Sequence, residues 1–258
     1  MFGPYSIDVA KNAPVASENC PLVVISHGNG GSPWVHRDLA AHLAQNGFVV
    51  GLPEHIGNSR TDNSLEGTIA NLENRPHQLS LCIDGLISDV ELKPRIDLKR
   101  IGAIGHSIGA YTALAIAGGR PKAGPHETPD GVTQNVAVHH DKRIQAVALL
   151  APATPWFRAP GALAEVTAPI FMRTGAMDTI TDGFHSDIVL NGVSDKSAID
   201  HKTVDNAGHF SFQSPFPEQM TQPGFPPSQD PIGFDRPAYQ KILHQEVLEF
   251  FQKMVPHR

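Results

Sequence analysis

Two cysteines in 258 residues, Cys20 and Cys82, are too few for a disulfide framework or a zinc site, so both are expected as buried or partly buried free thiols. The chain has no run of lysine or arginine, and its formal charge of −6 gives no general attraction to nucleic acid or to an anionic membrane surface. Nucleic acid is therefore not an expected partner. No uninterrupted apolar stretch reaches the ~18 residues of a membrane span, and residues 1–11 lack both a basic start and an apolar core. These absences lead to an expectation of no stable membrane insertion and a cytoplasmic location; a leader removed earlier would leave no trace here. A phosphate-binding glycine loop with its lysine is also missing, and His139-His140-Asp141 is too loose to hold a metal, so no cofactor and no metal are expected.

What is present is ordinary globular material, 40% hydrophobic and 18% charged, long enough to bury a substantial core. One domain spanning residues 1–258 is expected. Continuous apolar runs, several of them β-branched, occur at 21–26, 47–52, 100–105, 144–151 and 168–174, as in strands of a buried parallel sheet. Helical periods lie between and after them. Val35, Leu39 and Leu43 share one face; so do Leu79, Ile83, Leu86, Ile87 and Val90; the last helix carries Tyr239, Ile242, Leu243, Val247, Phe250, Phe251 and Met254. This order predicts an α/β fold with a mostly parallel central sheet and helices on both faces. Residues 118–141 and 214–237, rich in proline and polar residues, read as long surface loops.

Chemistry in such sheets sits beyond the C-terminal ends of the strands. After the run at 100–104 comes Gly105-His106-Ser107-Ile108-Gly109, followed directly by a helix-like stretch. Glycine, any residue, serine, any residue, glycine between a strand and a helix describes a nucleophile elbow, a turn too sharp for Cβ atoms at its flanks. It lifts the Ser107 hydroxyl out of the sheet at the positive end of the new helix. A serine attacking an acyl carbon creates an oxyanion that two backbone N–H groups must already face. The amide of Ile108 is one candidate. The other is the amide of Asn29 in the loop His27-Gly28-Asn29-Gly30-Gly31, where bare backbone lets a substrate approach closely.

A hydroxyl needs a base, usually a histidine held by a carboxylate, and in α/β-hydrolases the acid precedes the histidine. Of fourteen histidines, His209 is favoured because 206–210 forms a turn directly after the strand-like 199–204. His139 and His140 precede a strand, and His244 and His257 fall on or beyond the final helix. His106, though next to Ser107, should point away from it. Asp178 follows the strand at 168–174 and is the candidate acid; Asp182 is a fallback, and Asp205 suits a turn. Trp34, His55, Trp156, Phe157, Phe210 and Phe212 are candidates to line a substrate pocket.

Seven segments carry a family resemblance: "PLVVISHGNGG", "GFVVGLPEH", "RPHQLSLCIDGL", "RIGAIGHSIGAYTAL", "VTAPIFMRTGAMDTIT", "NAGHFSF" and "GFDRPAYQKILHQEVLEFF". In this order the chain resembles α/β-hydrolases, and more narrowly platelet-activating-factor acetylhydrolases and dienelactone-hydrolase-like serine esterases. The resemblance implies a triad of Ser107, Asp178 and His209, an oxyanion hole from the Asn29 and Ile108 amides, and a small-molecule ester as substrate. It departs from true dienelactone hydrolases, whose nucleophile is cysteine, and its short region before Pro21 suggests that the antiparallel strands opening the usual fold are reduced. Only 152–167 separate two strands where many such enzymes insert a cap, so no large cap domain is expected, and access would be shaped by loops including 56–76. Amide cleavage, acyl transfer and a non-catalytic binding role stay open at this level.

Overall fold

The computed structural model describes residues 4–15 and 17–253. The strands in chain order are β1 (Cys20–Ser26), β2 (Val49–Gly51), β3 (Ile96–His106), β4 (Lys122–Ala123), β5 (Gln134–Asn135), β6 (Ile144–Leu150), β7 (Ile170–Gly175) and β8 (Ile199–Val204). Six of them form one sheet in the order β2-β1-β3-β6-β7-β8, with every neighbouring pair parallel. β4 and β5 make a separate antiparallel pair inside the stretch read as a loop. Ala123 and Val136 there are buried in the core, so this stretch is held by packing.

Alternation along the strands splits the apolar residues between two layers. Leu22 and Val24 of β1 face one side, with Leu72, Leu79 and Ile83 of α2 (Ile69–Ser88) and Tyr111 and Leu114 of α3 (Ile108–Ile116). Val23 and Ile25 face the other, with Leu39 and Leu43 of α1 (Arg37–Gln45) and Leu243, Val247 and Phe251 of α5 (Arg236–Gln252). α4 (Gly183–Gly192) adds Val189 to the first layer. Helices thus cover both faces, as the period of the sequence implies. Met254 and His257 lie outside the described residues.

Two boundaries differ from expectation. Residues 56–76 read as a loop, yet α2 begins at Ile69 and carries Pro76 in its interior. A proline there deprives the Leu72 carbonyl of its helical donor, normally a reason for the helix to stop. The Tyr111 hydroxyl replaces that donor at 2.9 Å, so the orphaned carbonyl is satisfied from α3. Val90, assigned to the apolar face of this helix, lies past its end and is exposed.

The chain runs from β1 outward to β2, then returns to the opposite side of β1 for β3. Loops leaving β1 and β3 therefore diverge, opening a crevice at the sheet's topological switch point. Ser26 pairs with Gly105 and His106 with Leu150, so the ends of β1, β3 and β6 stand level beneath it. Between β6 and β7 there is only a short connection with a single turn of 3₁₀ helix at Pro155–Phe157.

Candidate active site

Ser107 stands between the end of β3 and the start of α3 with φ 57° and ψ −123°, a strained backbone for a residue with a side chain. Strain is held in place by contact on both flanks. A Cβ on Gly105 would lie 2.0 Å from the Gly109 carbonyl oxygen, and one on Gly109 would lie 2.0 Å from that of Ser26. From Ile101 through Ile116 every residue is buried except Ser107, which is partly open. The Ser107 amide is tied to Leu150 O at 3.0 Å, fixing the elbow to β6.

The glycine loop after β1 lies directly against this elbow. A Cβ on Gly28 would sit 3.4 Å from Ser107 Cβ and 3.2 Å from His106 Nδ1. His27 is buried and turns inward: its Nε2 accepts the His55 amide at 3.1 Å, which leaves the proton on Nδ1 to bond the Gly28 carbonyl at 2.8 Å. The Asn29 side chain is held too, donating to Glu66 and accepting from Asn58 Nδ2 at 2.6 Å. Every contact here shapes a loop whose main chain is brought beside the serine.

Asp178 and His209 come from the turns after β7 and β8, which Gly175 allows to meet: a Cβ there would be 2.4 Å from Ala207 O. His209 Nδ1 lies 2.9 Å from Asp178 Oδ2. The other carboxylate oxygen accepts the amides of Ile180 and Thr181, both at 2.8 Å. Thr181 Oγ1 donates to Asp178 Oδ2 at 2.7 Å and stands 3.1 Å from His209 Nδ1. Burial pushes the Asp178 carboxyl up, but the His209 and Thr181 donors and the charge coupling to His209 outweigh it and hold it at about 2. The carboxylate is ionised at neutral pH and can only accept, so Nδ1 of His209 is the protonated nitrogen of a neutral ring facing it.

The His106 ring lies beside that of His209, with centroids 4.9 Å apart, and borders the same cavity as Ser107. Its Nε2 lies 2.9 Å from the His209 carbonyl, which can only accept, so Nε2 is the protonated nitrogen. Complete burial, then the neighbouring His209 and His36, lower the His106 pKa far below the ordinary imidazole value and keep the ring neutral.

A cavity of about 270 Å³ lies over these groups, lined by Ser107, His209, the Gly28–Gly31 backbone, Ile180, Phe210 and Gln213. Phe216, Phe225 and Pro227 close its far side. They belong to the proline-rich stretch after Phe210, which is pinned by the buried Arg236 through Asp230 and the carbonyls of Pro227 and Gln229. Of the aromatic candidates only Phe210 reaches this cavity. Trp34 lines a neighbouring, larger cavity of about 710 Å³ that shares Tyr5, Ser32 and Arg60 with it. Trp156 and Phe157 pack on Tyr111 at centroid distances of 4.8 and 5.5 Å, and Phe212 packs on Tyr239 in the opposite layer. His55 is wholly buried behind the glycine loop, bonded to Ser26 Oγ at 2.8 Å and Gln78 Oε1 at 3.0 Å. Apolar character alone could not separate core from pocket in these positions. Tyr5 gave no signal because its place depends on contacts with Trp34 and Phe216 far along the chain. Thr181 offered one in retrospect, a hydroxyl three residues after the acid.

A model of the family "platelet-activating factor acetylhydrolase, isoform II" matches residues 1–79, a span that contains the glycine loop and ends before the elbow. Solved structures that match over most of the chain include three with related chemistry in their names. A dienelactone hydrolase from Anabaena variabilis ATCC 29413 is 19% identical over 93% of this chain and 88% of its own, with a TM-score of 0.57. A dienelactone hydrolase-like promiscuous phosphotriesterase from metagenomic libraries is 18% identical over 92% and 88%, with a TM-score of 0.61. The chain has the α/β-hydrolase fold. A metagenome-derived lipolytic enzyme of the LipS and LipT pair shares it, at 14% identity over 92% and 96% with a TM-score of 0.58. No curated protein matches the sequence. Within this fold, the six-stranded sheet has only parallel pairings, and no described residue before Cys20 is in a strand. Among the described residues no helix is long and apolar enough to cross a membrane.

Proposed function

We propose that this protein is a serine hydrolase that cleaves carboxylic esters with short to medium acyl or alkyl groups through an acyl-enzyme. The observation that carries the reading is the Asp178–His209 hydrogen bond at the rim of a cavity whose wall also contains Ser107. In this reading Asp178 holds the proton on Nδ1 of His209, and Nε2 takes the Ser107 hydroxyl proton as the oxygen attacks the ester carbonyl. The oxyanion then meets the amides of Asn29 and Ile108. His209 passes its proton to the departing alcohol, and a water deprotonated by the same nitrogen hydrolyses the acyl-enzyme. A cavity of about 270 Å³ lies just below the roughly 300–1,000 Å³ of drug-sized ligand sites, which favours compact groups.

The test is turnover of p-nitrophenyl esters from acetate to decanoate, together with fluorophosphonate labelling and a neutral phosphotriester as a competing substrate class. Ser107→Ala is expected to abolish both labelling and at least about 10⁴-fold of kcat. Ester turnover by that variant comparable to the parent's would refute the proposal.

A further inference from the structure

Arg75 is completely buried on α2, and no described carboxylate forms an ion pair with it. Burial lowers its pKa to about 9, which leaves the guanidinium charged at neutral pH. An uncompensated buried charge is expensive and survives only where its donors are well used. Here each nitrogen meets a neutral oxygen. Nε donates to Thr112 Oγ1 at 3.1 Å, Nη1 to Asn58 Oδ1 at 2.6 Å, and Nη2 to Ser26 Oγ at 3.2 Å and to the His27 carbonyl.

Those acceptors lead to the two arms of the site. Thr112 donates its hydroxyl hydrogen bond to the Ile108 carbonyl at 3.0 Å, one residue past the serine. His27 directly precedes Gly28, and Asn58 donates through Nδ2 to Asn29 Oδ1 at 2.6 Å. One rigid fork therefore spans the first turn of α3 and the glycine loop after β1, the segments that supply the two proposed oxyanion donors. A lysine could carry the charge but lacks the fixed planar fork of donors that meets these four acceptors.

We propose that Arg75 is the positioning residue of the oxyanion hole, setting the spacing between the Asn29 and Ile108 amides through its planar guanidinium. This inference rests on the ester-hydrolase reading for its kinetic consequence but not for its structural one. Arg75 touches no substrate; it acts through the two main-chain arms. Misplacing preorganised donors by a fraction of an ångström to an ångström lowers transition-state binding without altering ground-state binding.

The experiment compares the parent with Arg75→Lys, Thr112→Val and Thr112→Ser, each well below its melting temperature. Arg75→Lys is expected to lower kcat by about 10²-fold with KM within about twofold, and to weaken an arylboronic acid inhibitor by a similar factor. Thr112→Val, which cuts only the α3 arm, should show the same split more mildly, and Thr112→Ser should restore it. Amide hydrogen exchange across residues 27–31 and 108–112 is read in the same proteins; Arg75→Lys should speed both segments at least tenfold, and Thr112→Val the second. Unchanged exchange in both Arg75→Lys and Thr112→Val overturns the bracing role, whether or not esters are turned over. A kcat loss matched by an equal rise in KM, with boronate affinity unaltered, overturns it as well. If the parent itself lacks Ser107-dependent turnover, the ester reading fails, while the exchange data still decide the role of Arg75. Should Arg75→Lys fail to fold, the Thr112 pair carries the decision by the same measurements.

Discussion

His106 donates its Nε2 proton to the main-chain carbonyl of His209 at 2.9 Å, so the residue before the candidate nucleophile supports the turn that bears the candidate base. The rings lie with centroids 4.9 Å apart. Replacing His106 with Leu removes the donor and leaves a buried carbonyl unpaired, a cost of about 1–3 kcal/mol. The expected result is a melting temperature lower by several degrees, a kcat lower by about tenfold, and a KM within twofold. Calorimetry with steady-state kinetics checks this; a His106→Leu protein with the parent's kcat shows that the turn stands without that bond.

Thr181 bridges the candidate acid Asp178 and the candidate base His209 with a single hydroxyl. Thr181→Val keeps the shape and removes one donor from Asp178, so the carboxyl should rise from about 2 toward the ordinary range while the two main-chain donors remain. A loss of about tenfold in kcat is expected. Asp178→Asn is the harsher change and should cost up to about 10⁴ in kcat, because an amide can no longer hold the Nδ1 proton in place. Equal losses from the two substitutions would deny Thr181 its secondary place.

Buried imidazoles make the fold sensitive to acid. Burial, and then Arg75, lowers His27 to about 3; burial and His244 lower His36 to about 4; burial and His42 lower His244 to about 4. In the unfolded chain each takes a proton near 6.5. Above that pH both states are neutral and the stabilisation is complete; as pH falls from 6.5 toward 4, the unfolded chain binds protons that the folded one refuses. Each group then removes up to about 1.4 kcal/mol per pH unit. Asp178, held low, adds its own loss only below about pH 4. Melting temperatures should therefore hold from pH 8 to about 6.5 and fall steeply from there to pH 5, and a flat profile over that lower range would contradict this. His36→Leu should flatten it, because neither ring nitrogen of His36 has a partner to lose.

Two glycine substitutions should act in opposite directions. Gly109→Ala drives a methyl to 2.0 Å from a strand carbonyl and should prevent accumulation of folded protein. Gly85, exposed near the end of α2, has nothing within 4 Å of its added methyl. Gly85→Ala should stabilise by about 0.5–1 kcal/mol through helix propensity alone. Soluble expression and denaturant midpoints report both outcomes.

Much of the frame was legible because it is local. Leu22 to Ile25 alternate between two layers, and Gly105 and Gly109 are glycines for steric reasons that a short string already contains. Asp178 and His209 could be placed by the strands they follow. The rest depends on partners distant in sequence. Pro76 stops a helix unless a tyrosine 35 positions later supplies the missing donor, and nothing near Pro76 announces Tyr111. Trp156 and Phe157 resemble pocket aromatics until Tyr111 is seen to occupy the space beside them. Arg75 carries no local mark, because an arginine on a helix is ordinarily solvated, and its worth lies in four oxygens from three separate segments.

The position of β1 in the sheet has a consequence for how the chain is made. Residues 20–26 leave the ribosome about 80 residues before His106, where one of their two lateral partners ends. At the roughly 5–20 residues per second of protein synthesis, the apolar run Leu22–Ile25 waits for several seconds with an open hydrogen-bonding edge before β3 exists to cover it. Nascent chains halted short of β3 should therefore be the aggregation-prone species during translation, and chaperone demand should fall once the elbow sequence has emerged.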